Sequence, residues 1–264
     1  RTRTIAVTDY GPDFSRAEAL RLLDFHAAAV NPAGGFYKLA RDGTPMPDST
    51  RELHETTRMI FAYARGAALG YPRAGEIVDH GMAYLLHGHL DPVNGGFWWS
   101  ADDTGPLDRK KQAYGHAFVL LAAAWAGKLG HPDAEKLRDL VMADLKDRFW
   151  EGDPGTVSDT FDEDWTNPPA YRGGNANMHL TEALLAAYDT WRDPEYLAMA
   201  RGIAAFMINQ HARAEGWLVP EHFTPDWQLD RDFEGDPMFR PSGTTPGHAI
   251  EWARLILEMR ELGG

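Results

Sequence analysis

The feature that most constrains this chain is a repeat with a period of about 60 residues. Glycine-marked aromatic loops recur at Gly34-Gly35-Phe36-Tyr37, Gly95-Gly96-Phe97-Trp98, Phe149-Trp150-Glu151-Gly152 and Gly216-Trp217-Leu218-Val219. Gly35 and Gly96 stand 61 positions apart, and Gly96 and Gly216 stand 120 apart, which is two periods. A unit of this length cannot bury its own apolar face, so neighbouring copies must bury it for one another. Each period also opens a helix with an ionisable or aromatic cluster: Thr57-Arg58-Met59, Tyr114-Gly115-His116, Asn177-Met178-His179 and Gly247-His248-Ala249. A fold that carries one such cluster per repeat to a shared centre has built a polar site there.

Between the loops the apolar residues keep helical spacing. A first helix is expected over 14–30. Helix pairs follow at 55–69 with 72–89, 112–129 with 132–147, and 176–191 with 194–211, and a last helix at 246–262. The joins Gly70-Tyr71-Pro72, Gly130-His131-Pro132 and Arg192-Asp193-Pro194 suit a helix end followed by proline in the next first turn. Within each pair the first helix is apolar nearly all round, as in Leu120-Leu121-Ala122-Ala123-Ala124, and the second carries charge on one face, as in Asp133-Ala134-Glu135-Lys136. The first kind must be buried and the second must face water, so the chain reads as an inner ring of helices wrapped by an outer one. The fold class is all-α, an α/α barrel present here as about eight helices in a single domain over 1–264. Two long polar segments, 150–174 and 212–245, each precede an inner helix and are expected to roof the site.

A net charge of −13 repels phosphate backbones and anionic lipid, which excludes nucleic acid and membrane surfaces as partners and leaves a small neutral molecule. No stretch reaches the roughly 18 apolar residues of a membrane span. The opening Arg1-Thr2-Arg3-Thr4-Ile5-Ala6-Val7 lacks the apolar core of a secretion signal, so a cytoplasmic setting is expected. The absence of cysteine removes disulfides, zinc-thiolate sites and thiol nucleophiles together. Glycine-rich phosphate loops and nucleophile elbows are absent too, and the acidic runs 159–164 and 230–236 lack the ligand spacing of a calcium loop. No metal and no cofactor is expected.

The chemistry-bearing signal is a doubled pair, His179-Leu180-Thr181-Glu182 and His248-Ala249-Ile250-Glu251. Each sets a carboxylate three residues after a histidine on one helix face, where it can orient the imidazole for proton transfer near neutral pH. The bland alternative is a helix-start histidine satisfied by a local carboxylate. Arg58 sits on an inner helix and should meet a ligand or a buried partner, with a salt bridge to Glu55 as the structural alternative. Of Tyr114 and His116, one should line the site while the other packs. Asn175, Asn177 and Met178 surround His179 with groups suited to binding hydroxyls. The remaining histidines (His26, His80, His87, His89, His131, His211, His222) read as structural or solvated, and the tryptophans serve equally as sugar platforms or as packing.

Four segments resemble the N-acylglucosamine 2-epimerase superfamily: Thr57-Arg58-Met59-Ile60, Tyr114-Gly115-His116-Ala117-Phe118, Asn175-Ala176-Asn177-Met178-His179-Leu180-Thr181-Glu182-Ala183, and Pro246-Gly247-His248-Ala249-Ile250-Glu251-Trp252. Tyr-Gly-His-Ala-Phe and Asn-Met-His look most similar to its aldose–ketose isomerase branch. The resemblance implies cofactor-free interconversion of D-mannose and D-fructose, or of a related sugar such as lyxose or sulfoquinovose, through a cis-enediol. It implies that Arg58 holds the O1/O2 region, that Tyr114, Asn175 and Met178 line the pocket, and that His179 binds hydroxyls. His248 with Glu251 would do acid/base work including ring opening, and Arg240 matches a loop arginine near the site. His54 stands where the family usually has tryptophan, and His116 counts among the binding positions.

The resemblance also implies six repeats, the (α/α)6 form of the barrel, and a second catalytic histidine on the last inner helix, beyond the eight helices read here. The final helix is then expected to pack on material outside this sequence or on another copy, so that a chain of this length would be oligomeric or poorly soluble and inactive. Rival readings are a sugar 2-epimerase, a glycoside hydrolase or lyase using carboxylates such as Asp164 and Glu221 across the cleft, and a non-catalytic sugar-binding remnant.

Overall fold

The structure, a computed structural model, describes residues 11–236 and 240–263; the N-terminal segment read for a targeting signal and Phe239 of the arginine loop lie outside the described residues. Among the described residues eight α-helices form in the expected order. They are α1 (Pro12–His26), α2 (Leu53–Ala68), α3 (Ala74–Tyr84), α4 (Ala113–Lys128), α5 (Ala134–Asp144), α6 (Gly174–Trp191), α7 (Pro194–Ala204) and α8 (Pro246–Gly263). Helices α2, α4, α6 and α8 stand side by side as the inner row, and α3, α5 and α7 pack outside as their hairpin partners. In α4 every residue from Ala117 to Ala124 is buried, which is two full turns, so all its faces are packed between α2 and α6. Helix α8 packs on α6 and α7 but buries only Trp252 and Leu255, leaving Ile250 and Leu257 exposed.

Helices α3 and α5 begin two residues later than the proline-based expectation. A turn closes first, with the Ala74 amide on the Tyr71 carbonyl and that of Ala134 on His131. Of the three prolines at the joins, Pro194 alone occupies a first turn, where the Asp193 carboxylate also accepts from the Glu195 amide. Each outer helix runs on into a π-helical stretch, at Leu85–His89, Leu145–Phe149 and Ala205–Ala212, which turns the chain into the next loop.

The tight loops need left-handed backbone. Gly35 (φ 72°) and Gly96 (φ 74°) supply it, and a Cβ on Gly96 would come within 2.6 Å of Trp165. The third copy is built on Gly155 (φ 85°) rather than on Gly152, and its buried residue is Val157 in the place of Phe36 and Phe97. In the fourth copy Trp217 itself takes a positive φ and is 61% exposed.

Two-residue antiparallel ladders stitch the repeats together at one end of the helices. Strand β3 (Arg51–Glu52) pairs with β4 (Ser100–Asp102), β6 (Lys111–Gln112) with β9 (Thr160–Phe161), and β10 (Arg172–Gly173) with β11 (His222–Phe223). The other short strands are β1 (Lys38–Leu39), β2 (Pro45–Met46), β5 (Gly105–Pro106), β7 (Trp150–Glu151) and β8 (Thr156–Val157). In each stitch the first amide of the inner helix donates to a carbonyl of the next repeat's loop: Leu53 to Trp99, Ala113 to Asp159 and Gly174 to Glu221, all at 2.8 Å. These bonds satisfy helix-end donors that no capping side chain serves. They also let α2 and α6 start two residues ahead of the sequence expectation.

A candidate active site at the stitched mouth

Because the inner helices start in one register, equivalent residues of successive repeats share a level at the mouth. The first-turn residues are His54, Tyr114 and Asn175, and one turn deeper lie Arg58, Phe118 and His179, at spacings of 60 and 61. The deeper level forms a stack: the Arg58 guanidinium carbon lies 4.6 Å from the Phe118 ring centre, and that ring lies 4.6 Å from the His179 ring. Tyr114 closes it from above. Its hydroxyl accepts from Arg58 Nη2 at 3.0 Å, and its ring meets His179 edge-on at 5.3 Å. Burial pushes the Tyr114 phenol up, so it stays a neutral hydroxyl. Glu55 is engaged by Lys38 at 3.7 Å, and the alternative Arg58–Glu55 bridge does not form among the described residues. Arg58 is also exposed rather than buried.

His54 lies flat on Trp99, rings 5.0 Å apart and 11° from parallel, and burial pushes it down to about 4. It is therefore a neutral stacking partner at pH 7. With Arg58 it lines a groove of about 1120 Å³ beside α1.

A second cavity, of about 600 Å³, is lined by Tyr114, Asn175, Arg240 and His248 together with Trp99, Asp159 and Glu221. Both long polar segments contribute to its walls, as expected: Asp159 and Tyr171 from the first, Phe233 and Arg240 from the second. Arg240 donates to Asp159 at 2.5 Å and lies 4.7 Å over the Tyr171 ring. The Asn175 side-chain oxygen is buried with no protein hydrogen bond, so an acceptor waits at the rim.

Helix α8 brings His248 to the same cavity, but its partner is not the expected one. His248 Nδ1 bonds Glu221 Oε1 at 2.9 Å, and this hydrogen bond, outweighing burial, raises the imidazole's pKa. Glu251, one turn further along α8, faces Arg254 at 3.6 Å instead. A contact from the preceding loop has displaced the local i, i+3 pairing that sequence alone suggests. In α6 the local pair does form, His179 Nδ1 to Glu182 Oε2 at 3.2 Å. Burial opposes ionisation of Glu182, yet His179 and Arg254 hold its carboxyl below the ordinary value.

His179, Glu182 and Glu251 offer ligand atoms within 4.8 Å of one another, a spacing a divalent cation could share. A cation already serves them: Arg254 reaches Glu182 at 2.7 Å, Glu251 at 3.6 Å and Glu258 at 3.0 Å. The trio Glu52, His54 and Glu55 is met in the same way by Lys38.

Two expected binding residues are misplaced for that role. His116 is fully buried, its Nδ1 donating to the Gln112 carbonyl and its Nε2 accepting from the Phe97 amide, while burial depresses its pKa to about 3. It anchors the tight loop, as Asn177 anchors the next loop through both main-chain groups of Val157. Met178 is fully enclosed in the core, on the flank of the Asn175–His179 face, and does not line the cavity. Sequence reasoning missed Phe118 and the His248 role of Glu221. The repeat could have found both, since Phe118 is the period mate of Arg58 and His179, and Trp99, Asp159 and Glu221 are spaced 60 and 62 apart.

The sequence profile of the N-acylglucosamine 2-epimerase (GlcNAc 2-epimerase) family matches residues 34–263. The chain belongs to this family. It is 42% identical over 247 residues to a D-mannose isomerase of Thermobifida fusca, covering 92% of the chain and 61% of that protein. Superposed on a crystal structure of a D-mannose isomerase it gives a TM-score of 0.92 at 34% identity, covering 97% of the chain and 67% of the other. A cellobiose 2-epimerase from Spirochaeta thermophila follows at TM-score 0.83 and 25% identity, covering 97% and 66%. These likenesses establish the (α/α)6-barrel fold class, and the chain spans about three fifths of the length of the curated relatives it matches.

Proposed function

We propose that the whole protein is an aldose–ketose isomerase that interconverts D-mannose and D-fructose through a cis-enediol. The observation that carries the reading is the convergence at one mouth of a fixed guanidinium (Arg58), a hydroxyl (Tyr114), an imidazole–carboxylate pair (His179–Glu182) and a second carboxylate-bound imidazole (His248), in a chain 42% identical to a D-mannose isomerase. Isomerisation moves the proton on C2 to C1 and the hydroxyl proton on O2 to O1, with negative charge growing on the oxygens in between. Arg58 and the Tyr114 hydroxyl suit the O1/O2 end, because donors already aimed there need not reorganise as charge develops. His179 and Asn175 suit the other hydroxyls, and Arg240 the roof. His248 suits proton exchange, including ring opening, with Glu251 one turn behind it. Such proton transfers call for no cofactor.

The cavity lining favours an uncharged sugar. Asp108, Asp159, Glu221 and Asp236 face Lys110 and Arg240, and Arg240 is already paired with Asp159. An anionic sugar such as sulfoquinovose would meet net negative charge there. The hydrolase reading weakens on geometry: Asp164 accepts from Thr166 within its own exposed turn and does not line the cavity, while Glu221 is committed to His248. No helix among the described residues is long and apolar enough to cross a membrane, in keeping with the cytoplasmic setting we propose.

Incubating the whole protein with D-mannose in D2O should yield fructose carrying deuterium at C1. Glucose as the main product would make it a 2-epimerase, and reducing ends released from oligosaccharide with no change in mannose would replace the reading with hydrolysis.

A further inference from the structure

We propose that Glu221 is a positioning residue that fixes the ring orientation and tautomer of His248 toward the sugar, an inference that rests on the isomerase reading above. The Nδ1–H of His248 donates to Glu221 Oε1 at 2.9 Å, which leaves Nε2 as the nitrogen able to exchange a proton in the cavity. What distinguishes this contact from an incidental ion pair is how firmly Glu221 is placed, and by which element. Its carbonyl takes the first amide of α6 at 2.8 Å, and the next residue, His222, lies in β11 opposite Gly173. His222 is fixed in turn: its Nδ1 accepts from the Tyr171 hydroxyl and its Nε2 donates to the Pro241 carbonyl, both at 2.8 Å. The Glu221 side chain is only 6% exposed. The carboxylate is therefore built into the stitched mouth of α6 and reaches across to a histidine on α8.

The repeat supports the assignment independently. Trp99, Asp159 and Glu221 are the same position of three successive stitches, each accepting the first amide of the inner helix before it. In every copy the side chain engages another group of the mouth: Trp99 lies on His54, Asp159 holds Arg240, and Glu221 holds His248. The position is thus one that braces the mouth, and in the third copy what it braces is an imidazole. The charged or titratable groups around His248 are Glu221 from the loop, Glu251 on α8 itself, and Asp108, Lys110, Tyr114, Asp159, Tyr171, His222, Asp236 and Arg240 in the wall of the same cavity. Of these, Glu221 contributes the largest upward influence on His248, through the hydrogen bond, with Glu251 adding charge alone.

The test uses two variants of the whole protein. Glu221→Ala removes both orientation and charge and should lower kcat by up to about 10²-fold, the effect of misplacing a reacting group, with little change in KM. Glu221→Gln keeps an oxygen for Nδ1–H but drops the charge. It should recover most of kcat, and the acidic limb of its pH profile should move to lower pH, because a less basic His248 stays neutral further into acid. A structural role alone would not move that limb. Histidine NMR of Glu221→Gln gives a readout free of turnover: the Nδ1–H tautomer should persist and His248 should titrate at lower pH. The inference is overturned if both variants keep the wild-type kcat and limb, if Glu221→Gln is as slow as Glu221→Ala with the limb in place, which would mean proton transfer by Glu221 itself, or if His248 titrates unchanged. Wild-type protein that fails to convert mannose would remove the isomerase reading and leave the NMR result to decide the contact.

Discussion

Replacing Lys111 by methionine should destabilise the fold by about 3–5 kcal/mol at pH 7, the cost of stranding one member of a buried ion pair. Lys111 Nζ sits 2.9 Å from Asp91 Oδ2, with side-chain exposures of 0% and 1%. At that distance and an effective dielectric of about 20 the attraction is of order 6 kcal/mol before desolvation is counted. Asp91 also accepts from the amides of Val93 and Asn94 and from the Asn94 side chain, so it braces the tight loop of Gly95 and Gly96. Burial alone would raise its carboxyl, but these donors, Lys111 foremost, hold it at about 2. Burial draws the Lys111 ammonium down against the pull of Asp91. Four donors on one carboxylate nevertheless make the ionised pair the resident form. An aspartate depressed in the fold stabilises above its unfolded value of about 3.9 and loses that contribution as pH falls through about 2. In Lys111→Met the stranded carboxyl should take a proton at higher pH, so the difference from wild type should be largest near pH 7 and shrink below about pH 4. Urea unfolding across that range measures it, and Lys111→Met/Asp91→Asn should recover more than half of the loss. A deficit below about 1 kcal/mol at pH 7, or a double variant as unstable as the sum of the singles, would refute the reasoning.

Two further outcomes follow from the site. His248→Ala in the whole protein should lower turnover on mannose by roughly 10²–10⁴ with a smaller effect on sugar binding, and steady-state kinetics showing unchanged turnover would remove His248 from the mechanism. Phe118→Leu keeps an apolar filler but takes away the face beneath Arg58, whose cation–π support is worth about 0.5–1 kcal/mol at an exposed site. It should cost roughly 2–5-fold in kcat/KM, and a wild-type value would mean that Arg58 is held by Tyr114 alone.

The helices were legible because their cause is local: apolar periodicity and the proline-containing joins mark the hairpin turns between α2 and α3, α4 and α5, and α6 and α7. Their first residues were less so, because Leu53 and Gly174 are capped by carbonyls from loops more than 40 residues downstream, and no local pattern reports such a partner. Site residues divide along the same line. The His179–Glu182 bond is an i, i+3 contact within one helix and could be read directly. The partner of His248 could not be read from its own helix, because Glu221 lies 27 residues away across a loop; only its repeat spacing from Trp99 and Asp159 points to it, while proximity along the chain favoured Glu251. His116 carried a motif strong enough to look functional, yet its motif serves the loop it anchors. A buried polar residue at a repeat junction is explained by the backbone it satisfies before it is offered to a ligand.

The repeat also separates scaffold from chemistry within equivalent positions. Thr56, His116 and Asn177 occupy one place in three inner helices, and all three secure the adjoining loop, Thr56 through His89, whose ring donates to the Trp98 carbonyl. Different side chains there perform one task, so variation at that place is structural substitution. At the place held by Arg58, Phe118 and His179 the three side chains perform different tasks in one stack: a cation, the aromatic face that carries it, and an imidazole. A helical repeat fixes where side chains arrive, and divergence between its copies at a shared mouth is how one scaffold comes to hold unlike groups within reach of a single sugar. On the proposed reading Phe118 belongs to that machinery for this reason, although nothing in its own chemistry announces it: without a neutral, flat neighbour in the middle copy, Arg58 and His179 would lose the surface that sets them against each other.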